Sequence, residues 1–326
     1  MELCPPTLRD VLRARRVVRR FLSPTPLINY PALDAALGCE AYVKHENHQP
    51  VGAFKVRGGL YLVSQLGEAE RQRGVIAAST GNHGLSLAYA ARAFGVPAVI
   101  GVPEGANAVK VQAIAALGAE VLVFGADFDE AREHVEELAA GRGYRYVHSG
   151  DEPALLAGVG TLALEVLEEQ PEIEVFIVPV GGGSGAAAAA IVAKSIDPAI
   201  TVIGVQAAGA PAAWHGWREG RSVTLPSVHT FAEGLATRTT FALPQRVMRE
   251  LLDDFVLVSD DELRGAIRLY LERAHTLAEG AGAASLAAAL KLRERLAGRR
   301  VALVLSGGNI TVGQLRNALA AEHDAG

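Results

Sequence analysis

Eight short apolar runs, each closed by a turn signal, constrain this chain more than any other feature. They fall at 41–44, 75–78, 98–102, 120–124, 175–180, 202–206, 255–258 and 301–305. The runs are continuously apolar and do not alternate with polar residues, so both faces of each strand need cover. Ala- and Leu-rich stretches of helix length stand between them, among them 85–94, 109–117, 129–140, 153–169, 185–195, 260–272 and 283–296. Strand and helix in repeated succession give parallel sheets covered by helices. The fold class is therefore α/β. Residues 74–147 hold three strong strands of their own, which predicts a small inserted α/β domain at 74–147 and a large domain made of 1–73 and 148–326.

With 326 residues, 50% of them hydrophobic, such a chain can bury a large core. A net charge of −5 gives no electrostatic reason to expect nucleic acid or an anionic membrane as partner, which points to a small molecule. Cys4 and Cys39 form no CxxC pair and are too few for a disulfide framework, so a reducing, cytoplasmic setting is expected. No run is long enough to span a bilayer, and the N-terminus lacks the apolar core of a signal peptide. The basic run "RARRVVRR" at 13–20 reads as a surface helix, with Leu8, Val11, Leu12 and Val18 on one face and Arg13, Arg16 and Arg20 on the other.

Three glycine-rich turns follow strands: "STGNHG" at 79–84, "PVGGGSG" at 179–185 and "LSGGN" at 305–309. In the second, a buried strand runs into Gly181, Gly182, Gly183, Ser184 and Gly185, and a helix follows. The exposed amides of such a loop, with the positive end of the helix dipole, make a cradle for phosphate. No Gly-Lys-Ser/Thr follows, so it is not a nucleotide P-loop. Gly183, Gly185 and Ala188 satisfy G-x-G-x-x-A, but the next strand ends in Gln206 and alanines where a dinucleotide site needs a carboxylate. Ser79, Thr80 and Asn82 can cap the helix after them or hold a substrate carboxylate, and His83 reads equally well as a packed residue. Ser306 follows a buried strand, where its hydroxyl reaches a crevice. "HENH" at 45–48 lacks the zincin spacing and reads as a strand end with polar contacts, so no metal is expected. Ser184 lacks the nucleophile elbow of a hydrolase.

Lys55 sits against Phe54 in "KHENHQPVGAFKVRGG" (44–59), with Pro50 and Gly52 bending the chain ahead of it. Alone, it is either a surface cation or an amine held for chemistry. An amine beside an aromatic ring, a phosphate cradle, a carboxylate-binding helix start and a strand-end serine together suit pyridoxal 5′-phosphate, with the lysine as its Schiff-base partner.

These motifs, with "SPTPLINYPAL" at 23–33 and "AEGAGAAS" at 278–285, resemble in number and order those of the fold-type II pyridoxal-phosphate enzymes, in particular the threonine/serine dehydratase and serine racemase branch. The resemblance covers nearly the whole chain. It implies two parallel-sheet-based α/β domains of the tryptophan synthase β-subunit-like type, with the cofactor between them, and a homodimer. It implies Lys55 as the Schiff-base lysine and catalytic base, Phe54 beside the ring, and Asn82 on the phenolic oxygen. It also implies Gly181, Gly182, Gly183, Ser184 and Gly185 as the phosphate loop, Ser306 at the pyridine nitrogen, and Ser79, Thr80, Asn82 and His83 around the substrate carboxylate. The activity implied is an ammonia-lyase converting L-threonine and L-serine to a 2-oxo acid and ammonia. Thr80 stands where racemases carry a serine base, and "VQAAGAPAA" has no carboxylate where they hold a divalent metal. Little chain follows "LSGGN", so a C-terminal regulatory domain and isoleucine feedback are not expected. A 3-hydroxyaspartate lyase, a hydroxyectoine-pathway dehydratase and a serine racemase stay open within the class, with an NAD-binding or non-catalytic metabolite-binding protein outside it.

Overall fold

Ten strands lie among the described residues, 3–320, of a computed structural model. They are β1 (Leu27–Asn29), β2 (Glu40–His45), β3 (Val75–Ala78), β4 (Ala98–Val102), β5 (Glu120–Val123), β6 (Arg145–Tyr146), β7 (Val175–Pro179), β8 (Thr201–Ala207), β9 (Asp254–Val258) and β10 (Arg300–Leu305). All eight apolar runs became strands. The two strands that sequence reasoning did not expect, β1 and β6, have three and two residues, too few to leave a pattern. One sheet has the order β5-β4-β3-β6 and is parallel throughout. The other has the order β1-β2-β10-β7-β8-β9 and is parallel except where β1 meets β2.

Each sheet belongs to its own unit. The first unit comprises Met1–Leu22 and Lys55–Thr161, the second Ser23–Phe54 and Leu162–Gly326. The segment 74–147 therefore lies inside a larger first unit that adds 55–73, 148–161 and the N-terminal helix. Packing explains the additions. The helix Lys55–Ser64 lies so close to the helix Asn82–Phe94 that a Cβ on Gly59 would strike the Ser86 hydroxyl, and a Cβ on Gly58 would come within 2.8 Å of Leu155. The helix Leu8–Val18 buries Val11, Ala14 and Val18, with Ala14 against Tyr61 and Ala157. Leu12, expected on that inner face, is 44% exposed, because it stands about 100° round the helix from Val11.

Strands β3, β4 and β7 are buried along their whole length, as two covered faces require. At the sheet edge β5 departs from that expectation: Val123 and Phe124 are exposed. In the second unit the helix Gly280–Lys291 is buried from Gly280 to Ala289 and shares a core with Val175, Ile177, Leu303 and Leu305. Each large aliphatic side chain of that kind contributes about 1.5–3 kcal/mol when buried. Leu292 breaks the single helix expected at 283–296 into Gly280–Lys291 and Arg293–Leu296.

Parallel sheets gather loops at the carboxyl ends of their strands. In the first unit these are the segments after β3 and β6, which are paired neighbours. In the second they follow β2, β10 and β7, with β10 in the middle.

Candidate active site

Lys55 opens the helix Lys55–Ser64, a helix the sequence reading did not anticipate. Its backbone carbonyl accepts a hydrogen bond from Ser86 Oγ at 2.6 Å, and its Nζ donates to the Ser149 carbonyl at 3.0 Å. The residue is thus held at both ends within the first unit. Burial pushes the Lys55 amine down to about 8. An amine so poised is within reach of the neutral, nucleophilic form near neutral pH.

Beside it the loop after β3 carries Ser79, Thr80, Asn82 and His83. The helix that follows starts at Asn82, three residues earlier than 85–94 suggested. Ser79 Oγ explains the early start, since it accepts from the amides of Gly81 at 3.2 Å and Gly84 at 3.0 Å, the capping role open to it from the sequence. His83 is buried, with Nε2 3.2 Å from the Val147 carbonyl and Nδ1 without a partner. Burial first, and then the Lys55 charge, push its pKa down to about 3, so the ring is neutral and Nε2–H donates to the carbonyl. Thr80 and Asn82 are partly exposed.

In the second unit Phe54, Ser306 and the glycine loop come together. The Phe54 amide donates to the Ser306 carbonyl at 3.0 Å, and a Cβ on Gly185 would touch the Phe54 ring at 3.5 Å. Ser306 is buried at the end of β10. Gly181, Gly182 and Gly183 turn into the helix Ser184–Ile196, with Gly183 at φ 90°. A Cβ on Gly181 would strike the Gly234 carbonyl, and one on Gly182 the Phe241 ring. The amides of Gly181, Gly182 and Gly183 make no backbone hydrogen bond among the described residues. Uncharged amides at a helix start, in a turn that admits no side chain, fit the phosphate of pyridoxal phosphate.

The "HENH" stretch does what a strand end with polar contacts does. His45 Nε2 lies 3.0 Å from the Tyr30 hydroxyl, its ring stacks on His48, and Asn47 donates to Thr276 Oγ1 at 2.9 Å. Burial, then the neighbouring His48, push His45 down to about 4. Among the described residues no three His, Cys, Asp or Glu side chains gather as metal ligands. No helix among them is long and apolar enough to cross a membrane.

Sequence reasoning missed Ser86, His148 and Ser149. Ser86 lies in an apolar helix, where a lone hydroxyl carries no signal. Ser149 contributes only a carbonyl, and β6 before it is too short to mark a strand end.

Residues 18–307 match the family described as "Pyridoxal-phosphate dependent enzyme". The chain is 38% identical over 309 residues to an L-threonine ammonia-lyase of Thermotoga maritima, covering 95% of this chain and 77% of that one. It is 35% identical over 320 residues to an L-threo-3-hydroxyaspartate ammonia-lyase of Saccharomyces cerevisiae, covering 98% of each. Its structure is similar to that of the processed threonine deaminase isoform 2 of Solanum lycopersicum, with a TM-score of 0.93 and 31% identity over 99% of this chain and 97% of that one. The fold, the fitted phosphate loop and these likenesses converge: the chain belongs to the pyridoxal-phosphate-dependent enzyme family.

Proposed function

We propose that this chain is a pyridoxal-phosphate-dependent ammonia-lyase converting L-threonine, and L-serine with it, to a 2-oxo acid and ammonia. The observation that carries the reading is the Lys55 amine, brought down to about 8 by burial in a chain 38% identical to an L-threonine ammonia-lyase. Pyridoxal phosphate, when bound, supplies an aldehyde for the substrate amine and an electron-withdrawing ring that acidifies the α-carbon. The chain's own residues do the rest. Lys55 Nζ anchors the cofactor and takes the α-proton. The amides of Gly181, Gly182 and Gly183, with Ser184 and Gly185 at the helix start, bind the phosphate. Phe54 would pack on the cofactor ring, Ser306 Oγ would serve the ring nitrogen and Asn82 the phenolic oxygen. Ser79, Thr80, Asn82 and His83 orient the substrate carboxylate. Loss of the α-proton and the β-hydroxyl gives an enamine, which tautomerises and is hydrolysed to the 2-oxo acid and ammonia.

The full-length likeness to a hydroxyaspartate ammonia-lyase favours one second reading, with L-threo-3-hydroxyaspartate as substrate and the same elimination. Both readings carry a cytoplasmic homodimer; the free thiols of Cys4 and Cys39 suit a reducing compartment. The experiment is 2-oxo acid release from L-threonine, L-serine, both 3-hydroxyaspartate diastereomers and D-serine. Turnover of L-threonine and L-serine is expected. Silence on both, with release from hydroxyaspartate, replaces the first reading by the second. Borohydride reduction of the holoenzyme tests the anchor: a pyridoxyl adduct on any residue but Lys55 overturns its role.

A further inference from the structure

The loop 147–152 joins β6 to the helix Pro153–Glu169 within the first unit, and its turn is built around one side chain. His148 Nδ1 accepts from the Gly150 amide at 3.2 Å and from the Asp151 amide at 2.8 Å. An imidazole nitrogen that accepts two amides carries no proton, so the ring's proton sits on Nε2. Glu152 holds the same turn from the other side: its Oε1 accepts from the His148 amide at 3.4 Å, and its Oε2 pairs with Arg145 at 2.7 Å. The residue enclosed by these bonds is Ser149, whose carbonyl accepts the Lys55 amine at 3.0 Å. No function described above uses His148.

We propose that His148 is a positioning residue. By taking the Gly150 and Asp151 amides on Nδ1 it turns the Ser149 carbonyl to Lys55, and that carbonyl fixes where the free amine of Lys55 stands. The inference rests on the reading of Lys55 as the cofactor's anchor and the α-proton base. A lysine side chain has four rotatable bonds, so a free amine without a fixed acceptor wanders over several ångströms. A misplacement of about 1 Å at a reacting group can cost about a hundredfold in rate. The Ser149 carbonyl is suited to the task because it belongs to the backbone, so the turn that carries it sets its direction.

The test compares His148→Ala with His148→Asn, because an asparagine Oδ1 takes the place of Nδ1 and keeps an acceptor for the two amides. Two readouts are needed: kcat and KM of the holoenzyme for L-threonine, and the rate at which the cofactor-stripped chain takes up pyridoxal phosphate, with the adduct located after borohydride reduction. In His148→Ala, kcat and the uptake rate fall together by about ten- to a hundredfold with KM within about twofold, while His148→Asn recovers both to within about threefold. Equal losses in the two variants, a loss confined to KM, or full activity of His148→Ala would overturn the proposal. If the unsubstituted chain forms its adduct at another lysine, the reading of Lys55 fails first, and the inference falls with it.

Discussion

Lys44 and Lys55, eleven residues apart in one motif, are held in different ways, and Lys55 is only partly buried. Lys44, on β2, is fully buried, and its Nζ lies 2.7 Å from Glu165 Oε2 and donates to the Thr25 carbonyl at 2.7 Å. Its charge is matched by a carboxylate, and the pair ties β2 to the helix Pro153–Glu169. Lys55 donates to the uncharged Ser149 carbonyl, and burial lowers its pKa to about 8. On the proposed reading, the lysine given a carboxylate belongs to the frame and the lysine that meets the Ser149 carbonyl is the base.

The sharpest test of this contrast is a pair of substitutions. Lys55→Ala is expected to lose about a thousandfold or more in turnover while keeping its fold, seen as an unchanged circular dichroism spectrum. Lys44→Met is expected to lose about 3–5 kcal/mol of stability in urea denaturation, since Glu165 stays buried without its lysine. The double variant Lys44→Met/Glu165→Leu should regain most of that loss. A Lys44→Met chain that folds normally yet turns over no better than Lys55→Ala would break the contrast.

A pH series sharpens it. The neutral amine is the reactive form, so uptake of pyridoxal phosphate by the cofactor-stripped chain should fall about tenfold per unit below the Lys55 value of about 8 and level off above it. A plateau reached only above pH 10 would remove the lowered amine from the account. The smallest effect is expected from Ser86→Ala, which deletes the 2.6 Å bond to the Lys55 carbonyl and costs about 1 kcal/mol in the same urea titration.

Much of this was legible in the residues. Apolar runs marked the strands because a parallel strand covered on both faces is lined mostly by apolar side chains; Lys44 on β2 and Gln206 on β8 are buried exceptions. The turn at 181–182 was legible because its glycines face the Gly234 carbonyl and the Phe241 ring, which leave no room for a side chain. The Lys55 shift was not legible: it comes from burial in the folded unit, and Ser149, whose carbonyl accepts the amine, lies 94 residues away in the sequence. The extent of the first unit was hidden for a related reason, since the helix Lys55–Ser64 carries glycines that sequence propensity counts against a helix. Close packing on Ser86 and Leu155 outweighs that propensity.

Those glycines, with Gly158 of the helix Pro153–Glu169 packed on the Arg57 carbonyl, set a rule for anyone building variant libraries from this chain. At Gly58, Gly59 and Gly158, hydrogen is the largest substituent that the facing Leu155, Ser86 and Arg57 backbone or side-chain atoms leave room for. Diversity spent there returns unfolded clones, whatever activity is being selected. The helix that presents Lys55 is a fixed part, and variation has to be placed elsewhere.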